Sequence, residues 1–312
     1  MTAHSTRSIV VRASAAVFAV ALFATGCASL EEKEREWTFR VVQGDAGWYS
    51  GAPDAVQDVY IPVGEGAKPQ KIHAWWWPNA NPDAPVVYFL HGVRWNLTGQ
   101  VRRLEQLRQF GFSVFAIDYR GFGKSDGTLP SEQMTYEDAA AGWKWLAAKV
   151  PDASHRFIYG HSLGGAVAID LAARLATQDK GGPAQAHGLI VESTFTSLPD
   201  IAAELSWSWL PTRLIMSQRF DSIDKVRTID LPVLFVHGTG DRYVPAKFSQ
   251  ALYEAAPSPK KLLLIENGGH NNAMWLGDAH YQDALSEFFA LPAKAFAAPT
   301  NAARLSRRES SH

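Results

Sequence analysis

The feature that most constrains this chain is a series of short, wholly apolar runs separated by helix-forming stretches. The runs lie at 86–90, 113–117, 157–159, 188–191, 233–236 and 262–265. A strand wetted on one face alternates polar and apolar side chains, so runs without alternation predict strands buried on both faces of a parallel sheet. Helical patterning falls between them at 98–110, 135–150, 163–176, 246–256 and 278–289. This alternation predicts an α/β fold, a mostly parallel central sheet flanked by helices. Upstream, 37–42, 58–63 and 71–77 are rich in β-branched and aromatic residues between Gly, Pro and Asn, and predict leading antiparallel strands.

The alternation runs unbroken to about residue 291, so the 312 residues are expected to form one α/β domain over 37–291. The segment 196–228 interrupts the pattern and carries Trp207, Trp209, Leu210, Ile215, Met216 and Phe220. It reads as a cap-like helical insertion or as a crossover helix, with Trp207 and Trp209 expected to shape an acyl pocket. The Trp75-Trp76-Trp77 run is read as core rather than as a substrate platform. A net charge of −1 without a dense Lys/Arg run excludes an electrostatic footprint for nucleic acid. Cys27 is the single cysteine, so intramolecular disulfides, CxxC redox chemistry and cysteine-rich zinc sites are excluded.

The N-terminus reads as an export signal over 1–26. Arg7 and Arg12 flank or enter an apolar run over 9–24, followed by Thr25-Gly26-Cys27. Small residues before a Cys resemble a bacterial lipoprotein signal, although Ala24 stands where Leu is usual. The resemblance implies lipidation at Cys27, membrane anchorage and location on the periplasmic side of a bacterial cell envelope. Ordinary signal cleavage near 24–28 and an uncleaved anchor are the alternatives. Residues 27–36 follow as a charged stretch, a solvated tether or helix face. Residues 292–312, Ala-rich then basic and Ser-rich, read as a disordered tail.

The chemistry concentrates in three loops. Gly160-His161-Ser162-Leu163-Gly164 joins an apolar strand to an Ala-rich helix, the setting in which a Ser on a sharp turn presents its hydroxyl above the sheet. Serine needs a base, and the base needs an acid that fixes its tautomer. Asp241 follows the 233–236 strand and His270 follows the 262–265 strand, so both are expected at the sheet edge that carries Ser162. Glu192 is a second candidate for the acid. Two backbone N–H groups are expected to receive a developing oxyanion: Leu163, next after the nucleophile, and Val93, in the His91-Gly92-Val93 turn. His91 is read as a structural turn residue, and Asp118 as a pin for the loops around 120–123.

These motifs resemble the α/β-hydrolase superfamily, in particular its single-domain, often membrane-associated serine hydrolases of the depalmitoylase-like and serine-aminopeptidase-like kind. The resemblance spans about 59–289 and rests on Leu90-His91-Gly92, the stretch 118–125, Gly160 to Gly165, 192–197 and 231–245. It implies a Ser162, Asp241, His270 triad with Val93 and Leu163 as oxyanion donors. It also implies hydrolysis of a small-molecule or lipid acyl ester or thioester, without cofactor or metal. Peptide hydrolysis, cofactor-free perhydrolysis and noncatalytic lipid binding remain the alternatives.

Overall fold

The computed structural model describes residues 29–64, 68–178, 180–182, 185–205, 209 and 211–291. Eight strands form one sheet: β1 (Gln57–Val63), β2 (Gln70–Trp77), β3 (Val86–Leu90), β4 (Ser113–Ile117), β5 (Arg156–His161), β6 (Gly188–Glu192), β7 (Val233–Gly238) and β8 (Lys260–Ile265). Their order is β1-β2-β4-β3-β5-β6-β7-β8. The two leading strands pair antiparallel, β2 pairs antiparallel with β4, and every later pairing is parallel. The expected fold class is the one observed.

The absence of polar alternation has a direct structural cause. Val86, Tyr88 and Leu90 pack into the core on one face of the sheet, while Val87 and Phe89 pack into the core on the other. Helices α2 (Leu97–Gln109) and α10 (Asp278–Phe288) contribute Leu104, Leu107, Tyr281 and Leu285 to one face. Helices α3 (Glu132–Lys149), α4 (Leu163–Gln178) and α8 (Lys247–Ala255) contribute Trp143, Leu146, Val167, Ile169 and Leu252 to the other. Asn96 and Ser131 start α2 and α3 by accepting backbone N–H bonds from Thr98 and Met134. Trp75 and Trp77 are buried, and Trp76 packs partly buried against the core, so the tryptophan run is structural.

The chain crosses from β3 to its neighbour β4 on one side and later returns to β5 on its other side. The sequential order therefore reverses at β3, and crevices beyond the carboxyl ends of strands at such a switch point are where open α/β sheets bind ligands.

One expectation needs revision, and two pairs of open alternatives are decided. Residues 37–42 do not form a strand; 29–39 are a helix, α1. Glu31 to Glu36 are good helix formers, and their propensity carries the helix through Trp37 and Phe39 until Arg40 turns to φ 46°. The charged stretch is a helix docked on the domain. Glu34 accepts N–H bonds from Ser217 and Gln218 at 2.8 Å, and Arg35 donates to the Leu129 and Pro130 carbonyls. The insertion is not one crossover helix but three short ones, α5 (Leu198–Leu205), α6 (Thr212–Ile215) and α7 (Ser222–Lys225). Cys27, the export signal, Trp207, Leu210 and the 292–312 tail lie outside the described residues. No helix among the described residues is long and apolar enough to cross a membrane. α9 (Ala273–Leu276) and two 3₁₀ turns, Ala153–His155 and Val226–Thr228, complete the elements among the described residues.

Candidate active site

Ser162 stands between β5 and α4 at φ 57°, a left-handed conformation that costs energy for a residue with a Cβ and persists only where the surroundings enforce it. They do so through close packing. A Cβ on Gly160 would lie 2.2 Å from the Gly164 carbonyl oxygen, and one on Gly164 would lie 2.1 Å from that of Leu90. Hydrogen bonds complete the turn: Ser162 N–H donates to the Glu192 carbonyl at 2.9 Å, and the Ser162 carbonyl accepts from Gly165 N–H and Thr194 Oγ1.

The three side chains singled out from the sequence form one hydrogen-bonded chain. His270 Nε2 is 3.0 Å from Ser162 Oγ, and His270 Nδ1 is 2.7 Å from Asp241 Oδ2. The other carboxylate oxygen of Asp241 accepts N–H bonds from Tyr243 at 2.8 Å and Val244 at 2.9 Å. Burial pushes the Asp241 carboxyl up. His237, the hydrogen bond and charge of His270, and the Val244 N–H together outweigh burial and hold it well below the usual carboxylate range. Asp241 therefore stays an acceptor and fixes His270 with the proton on Nδ1, leaving Nε2 free to take a proton from Ser162.

The two residues expected to supply oxyanion donors lie on chain segments that meet Ser162. Leu163 opens α4, and the first N–H groups of a helix have no intrahelical acceptor. A Cβ on Gly92 would lie 3.1 Å from Ser162 Cβ, which sets the 91–93 turn against Ser162. His91 is fully buried and donates from Nδ1 to the Gly92 carbonyl at 2.6 Å, holding the Gly92–Val93 peptide whose N–H belongs to Val93. Desolvation lowers its basicity, consistent with a neutral structural ring. Asp118 Oδ1 pins α2 through the Leu97 N–H at 2.8 Å, while Arg120 is held by Asp138 instead.

A family model described as serine aminopeptidase, S33, matches residues 81–224. An uncharacterized protein of Mycobacterium tuberculosis is 31% identical over 280 residues, covering 89% of this chain and 95% of that one. The chain belongs to the α/β-hydrolase superfamily. Within it, the lysophosphatidylserine lipase ABHD12 of Danio rerio is 32% identical over 217 residues, which are 65% of this chain and 55% of that protein. The esterase Pf2001 of Pyrococcus furiosus shares the fold at TM-score 0.62 and 22% identity, covering 81% of this chain and 98% of its own.

Around this superfamily's loop cluster lie groups that sequence reasoning missed or misassigned. Glu192 does not reach His270. It is fully buried with Arg103, whose Nη1 lies 2.7 Å from Oε1, and with the hydroxyls of Tyr159 and Tyr281, which donate to Oε2. Arg103 also donates to the Asn271 carbonyl at 3.3 Å, so this cluster braces the loop that carries His270. His161 donates from Nε2 to the His270 carbonyl at 2.8 Å. Desolvation, with Arg103 and His270 nearby, keeps that ring neutral. His237 Nε2 bonds the Val244 carbonyl at 2.8 Å and stands 3.3 Å from Asp241 Oδ2. His161 sits inside the Ser162 motif and was legible as a neighbour; the Arg103–Glu192 pair, 89 residues apart in sequence, carried no local signal.

Trp209 is 72% exposed, so the expectation that it lines an acyl pocket is corrected. A cleft of about 560 Å³ lined by Arg102, Asn271, Asn272, Trp275 and Leu276 opens beside the His270 loop. Among the described residues, no three His, Cys, Asp or Glu side chains group to hold a metal ion.

Proposed function

We propose that the protein is a serine hydrolase that cleaves an acyl ester or thioester through an acyl-enzyme on Ser162. The observation that carries this reading is the Ser162–His270–Asp241 chain at 3.0 and 2.7 Å. His270 Nε2 takes the hydroxyl proton as Ser162 Oγ attacks the acyl carbonyl carbon, and the carbonyl oxygen becomes an oxyanion. The N–H groups of Val93 and Leu163 receive that charge; losing one such donor typically costs on the order of 3 kcal/mol in the barrier. Collapse breaks the bond to the alkoxide or thiolate leaving group, which takes the proton from His270. Water then attacks the acyl-enzyme with His270 as base, releasing the acid and restoring Ser162. Asp241 stabilises the imidazolium in both halves.

The lipase among the relatives supports a lipid acyl ester as the substrate class. The family model's description favours a second reading, peptide hydrolysis on the same three residues. Export and anchorage through Cys27 belong to the same proposal, on the strength of the apolar run over 9–24 and the small residues before Cys27. The test is hydrolysis of a chain-length series of p-nitrophenyl acyl esters beside matched amides, with Ser162→Ala as control. Ester turnover lost in the variant is the expected result. Amide turnover exceeding ester turnover would move the assignment to a peptidase. Turnover of neither, with no fluorophosphonate labelling of Ser162, would overturn the catalytic reading.

A further inference from the structure

The insertion and α1 bury Phe39, Ile201, Phe220 and Val226, are pinned by polar contacts, and leave several other large apolar side chains in solvent. Thr212 Oγ1 bonds the Pro199 carbonyl, Arg213 bonds Asp200, and Glu34 holds Ser217 and Gln218. Leu205, Trp209, Leu214 and Ile215 point outward at 62%, 72%, 85% and 50% exposure. On α1, Leu30 and Trp37 are 62% and 78% exposed. They lie four residues before and three after Glu34, so all three share one helix face. The Glu34–Ser217 bond sets that face alongside 214–217, so exposed apolar side chains of α1 and of the insertion gather about one contact. Contiguous exposure of large apolar side chains marks an interaction site rather than ordinary surface.

Position identifies what covers it. Cys27 is three residues before Leu30, a reach of at most about 11 Å for an extended chain. From Leu30, α1 then rises about 14 Å to Phe39, whose carbonyl accepts the N–H of Arg94 at 3.1 Å. Arg94 follows Val93 directly. Whether the chain is held by acyl groups on Cys27 or by the apolar run over 9–24, an anchored molecule carries this surface within a few nanometres of the bilayer. The charge pattern selects the mode of contact. With Glu34 and Arg35 engaged on the domain, α1 retains Glu31, Glu32 and Glu36 against Lys33. Attraction to anionic lipid is therefore not the driving force.

We propose that Leu30, Trp37, Leu205, Trp209, Leu214 and Ile215 form a membrane-docking face that inserts into a zwitterionic lipid leaflet and sets the Ser162 site toward it. The surface stands on the exposed side chains alone; its consequence, delivery of a lipid ester from the leaflet, rests on the catalytic reading. Insertion driven by apolar area is insensitive to salt, unlike binding through charge.

The test uses the full chain on phosphatidylcholine vesicles, with bimane attached at Leu214→Cys in a Cys27→Ser background. Asp83→Cys is the reference, in the loop before β3 at the opposite edge of the sheet. Brominated lipid should quench the Leu214 probe at least about twofold more than the reference, and 0.5 M against 0.05 M salt should not change this. Equal quenching at both positions overturns the proposal. In parallel, the Leu214→Glu, Ile215→Glu variant should lose about tenfold in hydrolysis of a vesicle-borne ester while keeping its rate on a water-soluble short-chain ester. Equal loss on both, or a vesicle-free dimer that this variant dissociates, also overturns it and in the second case assigns the face to another copy of the chain. Lipid quenching at Leu214 without turnover of either ester leaves the docking face standing and defeats the catalytic reading instead.

Discussion

The β5–α4 elbow and the insertion with α1 are opposite solutions to the same problem of building a site. At the elbow, position is fixed by contact so close that no extra carbon fits at Gly160 or Gly164, and Ser162 is held at an unfavourable φ. In the insertion, position is fixed by a few polar pins such as Arg213–Asp200 and Glu34–Ser217, with large apolar side chains left in solvent. Chemistry that needs atoms placed to a few tenths of an ångström is built on the first kind of region. A surface that meets a partner can be built on the second.

The contrast is broken most severely by Ser162→Ala. Ester kcat/KM should fall by at least ~10⁴-fold, while the thermal midpoint stays within a few degrees of wild type. Next, Glu192→Ala leaves Arg103 buried without its carboxylate, and urea unfolding should report a loss of about 3–5 kcal/mol. A fall in activity larger than that of the folded fraction would show that the cluster also positions the His270 loop through Asn271. Gly164→Ala drives a methyl group into the Leu90 carbonyl and should cost about 3 kcal/mol, the upper end of overpacking. By contrast Leu214→Ala should change stability by no more than about 0.5 kcal/mol.

A pH profile sharpens the comparison further. The Asp241 carboxyl is depressed in the folded state, so its contribution to stability is fully present above the ordinary carboxylate range and is lost as pH falls toward its folded value. The stability gap between wild type and Asp241→Asn should therefore be widest near neutrality and narrow steadily below about pH 4. A gap that widens in acid would reverse the sign of the shift.

How much was legible in the sequence follows the same division. The strands from Val86 onward and the Ser162, Asp241 and His270 loops were readable because burial on both sheet faces and glycine-tight turns leave local marks. α1 was misread over 37–42 because β-forming side chains there are outvoted by the charged helix formers before them. The Arg103–Glu192–Tyr159–Tyr281 cluster was invisible, since a buried ion pair between distant segments has no period and no motif. Glu192, read as a possible acid for His270, is claimed by that cluster. The exposed faces of Trp209 and Leu214 were not readable, because apolar residues in a short irregular insertion look the same whether they face inward or out.

The most direct test of the central claim is to catch the acyl-enzyme. The full chain, mixed with a p-nitrophenyl acyl ester and quenched in acid within the first turnover, should carry the acyl mass on the tryptic peptide containing Ser162, and Ser162→Ala should carry none. An acyl group on another residue, or turnover with no acylated Ser162 at any quench time, would contradict it.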